Sequence, residues 1–220
     1  LFLTLHMSMN AFALFSGEGY NMVCEFLGAN WYALVATVGL AALVVIHIVY
    51  AFILQIQNRR ARGSERYAVT AKPKGVEWAS QNMLVLGIIV ILGLALHLVH
   101  FWSKMQLTEI VGGHEALVYE GLAIAPTNGA ALIAINFSNP LTVAIYVIWL
   151  AAIWFHLSHG FWSALHTIGW NGKNWIKRLE VISNVYTTII VIGFIAVPLL
   201  FLAQSLIDSN FVLEYVKSTL

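Results

Sequence analysis

Five apolar runs, at roughly 1–15, 31–57, 81–103, 141–166 and 182–207, set the narrowest limits on what this chain can become. A helix of about 20 apolar residues crosses a bilayer, and four of the runs are that long. The first falls short, and Leu1 stands mid-pattern with no cap or basic flank. The expectation is therefore an all-α integral membrane protein, a single membrane domain over residues 1–220. It would be a bundle of five transmembrane helices, the first truncated at its start. Composition agrees, with 60% hydrophobic and 10% charged residues where a soluble domain carries about 25% charged. A net charge of +1 and the lack of a nucleic-acid motif speak against a nucleic-acid partner. One cysteine, Cys24, leaves no internal disulfide and no CxxCH attachment for a c-type haem.

The links between the runs differ in charge. After the second run, NRRARGSERYAVTAKPKG holds Arg59, Arg60, Arg62, Arg66, Lys72 and Lys74; after the fourth come Lys173, Lys177 and Arg178. The other two links carry Glu18, Glu25, Glu109, Glu115 and Glu120, with only Lys104 for positive charge. The positive-inside rule then predicts a multi-pass protein with the second and fourth links and the N-terminus in the cytoplasm, and the C-terminus outside.

Eight histidines are present, at 6, 47, 97, 100, 114, 156, 159 and 166. An ionisable residue inside a membrane helix is costly and points to function, although any one imidazole can serve merely as an interhelical hydrogen-bond partner. Each of the first four runs has at least one histidine in its body, and the fifth has none. A rise of about 1.5 Å per residue turns position into depth. His6 lies roughly 14 Å and His97 roughly 10 Å below the outer ends of their helices, while His47 and His156 each lie about 15 Å from the inner ends. They form an outer pair and an inner pair. Two imidazoles at matched depth are what a six-coordinate haem iron takes as axial ligands, whereas zinc wants four ligands on one point. Gly93 stands four residues before His97 and Gly160 four after His156, on the same helix faces. Either glycine clears space for a macrocycle or simply allows close helix packing.

The chain resembles the cytochrome b membrane anchor of succinate:quinone oxidoreductases and fumarate reductases, in the single-chain, five-helix, two-haem form. The likeness covers nearly all 220 residues and is carried by HMSMN at 6–10, VIHIVYAF at 45–52, GIIVILGLALH at 87–97 and HLSHGFWSALHTIGW at 156–170. In that family the fourth-helix ligand stands four residues before one glycine and thirteen before another, here Gly160 and Gly169, which selects His156 over His159. The third-helix ligand lies ten after a glycine, here Gly87, which selects His97 over His100. Asn10 follows His6 at the family's four-residue offset. Where some members carry a glutamate for transmembrane proton movement, two residues before the fourth-helix ligand, this chain has Trp154.

The resemblance implies two b haems, His6 and His97 on the outer iron and His47 and His156 on the inner, with Gly93 and Gly160 beside them. It also implies a flavoprotein subunit and an iron–sulfur subunit on the cytoplasmic face of a bacterial inner membrane. Electrons would pass between them and a membrane quinone, by resemblance menaquinone, with lipid around the bundle. Glu18 and Glu25 are candidates to handle quinone protons near the outer pair. Glu25 has apolar sequence neighbours, Cys24, Phe26 and Leu27, that would partly desolvate it. Two other histories fit the histidines: a dihaem anchor of a hydrogenase or formate dehydrogenase, told apart by its partner subunits, and a transporter relaying protons, which would show no Soret absorbance.

Overall fold

The computed structural model describes residues 1–28, 30–63, 77–170 and 172–220, with the side chain of Arg62 left aside. Arg66, Lys72 and Lys74 lie outside the described residues. The chain is an all-α apolar bundle with four helices long and apolar enough to cross a membrane. They are α3 (Trp31–Arg62), α5 (Met83–His97, continued by a π-helical turn over Leu98–Trp102), α8 (Pro140–Thr167) and α9 (Lys173–Ile207). The first run forms a shorter helix, α1 (Phe2–Asn10), tightened into a 3-10 turn over Ala11–Leu14. Helix α9 begins well before its apolar run, because the basic segment from Lys173 continues the same helix.

Local chemistry sets the helix starts. The Asn139 side chain accepts from the amides of Leu141 and Thr142, and Pro140 occupies the first turn of α8, where its missing N–H costs nothing. Ser16 caps α2 (Gly17–Leu27) by accepting from the Gly19 amide at 3.0 Å.

The 104–139 segment, expected as a link, is built up. It holds α6 (Gln106–Ile110), a hairpin of β1 (Leu117–Tyr119) on β2 (Leu122–Ile124), and α7 (Gly129–Phe137). With α10 (Phe211–Ser218) and α2, these elements cap one end of the bundle. Ala130, Ala131, Leu132 and Ala134 of α7 are fully enclosed, so the densest part of the core sits under this cap.

Helix α8 packs along α9 and α5, and α1 packs on α9. By contrast α3 packs extensively against none of its neighbours, and no residue of its most apolar stretch is buried. The Thr37 hydroxyl donates to Gln106 Oε1 at 2.9 Å and ties its start to the capped end. Exposed Arg59, Arg60, Lys173, Lys177 and Arg178 gather at the opposite end, where α3 and α8 finish and α9 begins. A short helix, α4 (Trp78–Gln81), leads into α5 at that same end.

Candidate functional site

Depth groups His6 with His97 and His47 with His156, and those are the rings that meet. The His6 and His97 centroids are 5.8 Å apart with planes at 83°, and those of His47 and His156 are 6.1 Å apart at 81°. Two metal–nitrogen bonds of about 2 Å, added to the distance from each ring centre to its nitrogen, put facing imidazoles ~6 Å apart. Both pairs therefore have the spacing that one metal atom between two nitrogens requires. Each also joins helices that do not pack extensively on each other, α1 with α5 and α3 with α8. The pairs are seven residues apart where they meet α8, since Trp149 lies beside His97. That is about 10 Å along the bundle axis.

The surroundings differ. His6 is stacked by Phe2 at 5.3 Å and flanked by Phe194 at 5.6 Å. His97 lies among Phe101, Tyr146 and Trp149, with ring centroids at 5.2, 6.3 and 5.6 Å. His47 is exposed on the stand-off helix, and the His156 ring approaches Gly87. Nδ1 of His97 and Nδ1 of His156 are buried without a hydrogen-bond partner. At His6 the Asn10 amide donates to the His6 carbonyl at 2.7 Å and lies 3.3 Å from Nδ1. The Tyr20 hydroxyl holds that amide by donating to Asn10 Oδ1 at 3.0 Å. A metal held at Nε2 would leave the proton on Nδ1, and the Asn10 amide beside it would then have to turn.

The two glycines separate. A Cβ on Gly160 would meet nothing, so the helix face beside His156 is open. A Cβ on Gly93 would collide with the Trp149 indole. Gly93 therefore makes room for a tryptophan of α8, which is the close helix packing that the sequence also allowed. Gly87, quoted only for its spacing, is the glycine that faces a paired histidine.

The remaining histidines have other neighbours. His100 stacks on Tyr146 and its Nδ1 is hydrogen-bonded to that hydroxyl at 3.2 Å. His159 Nδ1 lies 2.8 Å from Glu77 Oε2 at the start of α4. His166 and His114 are exposed. Among the described residues no three of His, Cys, Asp and Glu converge on a point that could hold a metal ion. Burial pushes the Cys24 thiol up to about 11, which keeps it protonated and inert.

Glu18 and Glu25 lie on α2 at the capped end, the end nearer His6 and His97. Both are exposed, because Tyr20 and Cys24 form the buried face of α2 and the glutamates fall off it. The expected desolvation of Glu25 is corrected: its apolar sequence neighbours do not surround it. Trp149 and Tyr146, absent from the sequence-based site, flank His97, and Tyr20 reaches His6 through Asn10. The π turn directly after His97 was equally unforeseen, although such turns concentrate at functional positions.

Comparison with family models, curated proteins and solved structures finds no match.

Proposed function

We propose that this chain is the membrane anchor and electron-transfer subunit of a succinate dehydrogenase or fumarate reductase, binding two b haems and serving a membrane quinone. One observation carries the reading: two imidazole pairs, each ~6 Å between rings, each bridging helices that otherwise stand apart. Facing imidazoles on helices that do not pack extensively on each other suit a flat apolar group held from both faces. The open side of Gly160 and the unburied stretch of α3 suit it as well. His6 and His97 would hold the outer group, His47 and His156 the inner. When bound, such haems supply one-electron carriers between a one-electron iron–sulfur partner and a two-electron quinone.

The chain's own residues do the rest. The histidines would hold the two groups and fix their positions, and the aromatic side chains around His97 would exclude water. The basic end, with Arg59, Arg60, Lys173, Lys177 and Arg178, suits docking of an iron–sulfur and a flavoprotein subunit on the cytoplasmic side of a bacterial inner membrane. Menaquinone is the proposed quinone, reacting towards the capped end. The deciding measurement is a reduced-minus-oxidised spectrum with haem quantification on the purified complex. Two b haems per chain are expected, and a colourless preparation sinks the proposal.

Quinone reduction takes up two protons, and a carboxylate at the site's edge can relay them. Glu18→Gln and Glu25→Gln are each expected to lower succinate oxidation with quinone while leaving activity with an artificial acceptor intact. Full quinone turnover in the double variant would remove both residues from the proton route.

A further inference from the structure

We infer that Trp149 is the positioning residue for His97, and that Gly93 exists to admit it. This rests on the dihaem reading above. A ligating histidine is ordinarily oriented by a hydrogen bond from its second ring nitrogen, yet His97 Nδ1 is buried with no partner. Something else has to fix the ring, and packing does so. The Trp149 indole lies 5.6 Å from the His97 ring at 35°, with Phe101 at 5.2 Å and Tyr146 at 6.3 Å completing the enclosure.

Trp149 is itself held on three sides. Its Nε1 donates to the Val90 carbonyl at 3.0 Å, a bond from α8 onto the helix that carries His97. Tyr146 packs edge-on against it at 5.6 Å. Its ring occupies the space over Gly93, where any Cβ would overlap it. Gly93 stands one turn before His97 on the same face, so the indole spans Val90, Gly93 and His97 along a single stripe of α5. Sliding or rotating α8 against α5 would break the Val90 bond and move the wall of the His97 ring together. Around the inner pair, the aromatic contact described for the His156 ring is His47, and its edge approaches Gly87.

The test compares the two haems within one protein. Trp149→Phe keeps an aromatic ring but loses the Val90 bond. Both haems should be retained, with a shifted midpoint potential and a shifted low-spin EPR signal for the outer haem alone. Gly93→Ala should lose the outer haem and keep the inner, whose retention shows that the bundle has folded. Unchanged outer-haem signals in Trp149→Phe, or equal shifts in both haems, would overturn the positioning role while leaving the dihaem reading intact. An unmodified protein without haem would overturn both.

Discussion

Replacing His156 with leucine is expected to remove one of two b haems and leave the spectrum of the other unchanged. The reason is geometric. His47 faces His156 at 6.1 Å while α3 does not pack extensively on α8, so the proposed inner position would have one ligand from each side and no described substitute. His159 is one turn away, but its Nδ1 is engaged by Glu77 at 2.8 Å. His159→Gln should therefore retain both haems, and the two variants together separate ligation from general damage to α8. A second readout follows from the fold. With the inner pair broken, the described side-chain hydrogen bonds from α3 to other elements are Thr37 on Gln106 and Tyr32 on the Phe26 carbonyl, both near the capped end. Hydrogen exchange or proteolysis should then rise towards the end of α3, around Arg59 and Arg60. Two haems with unchanged spectra in His156→Leu would mean that another residue ligates the inner iron.

The largest loss of stability is expected from Asn128→Ala. Asn128 is 5% exposed and ties three elements of the cap together. Its Oδ1 accepts from the Ala131 amide at 3.0 Å, which caps α7, and from Asn21 Nδ2 of α2 at 2.9 Å. Its Nδ2 donates to the Thr219 carbonyl after α10 at 3.0 Å. Losing a helix N-cap costs about 1 kcal/mol, and each polar group stranded in a buried setting adds ~1–3 kcal/mol. Asn21 Oδ1 still accepts from the Ala130 amide at 2.9 Å, so α2 is not cut loose entirely. The expected total is about 2–4 kcal/mol, allowing for partial repair by water. Thermal unfolding in detergent measures it. Asn128→Ser keeps a capping acceptor without adding charge and loses the donor to Thr219, so it should cost less than alanine. A melting curve unmoved by Asn128→Ala would show that the cap does not depend on this amide.

Much of this protein was legible along one dimension. Apolar run length located α3, α5, α8 and α9 because a membrane helix repeats a fixed rise over a fixed thickness. The same rise sorted His6, His47, His97 and His156 by depth, since depth depends only on counting residues from a helix end. Rotation and lateral neighbours are not written in that count. Gly93 lies four residues before a paired histidine, yet what fills the space over it is Trp149, 56 positions further on. Glu25 sits among apolar residues in the chain but off the buried face of its helix, because neighbours in sequence point 100° apart around a helix. The nine-residue α7 is too short to announce itself as a span, and only enclosure by α2, α8, α9 and α10 makes it core. The sequence by itself determined the apolar helices and the level at which each imidazole stands. The tertiary structure decided which side chains surround those imidazoles, because that depends on how each helix is turned and what lies beside it.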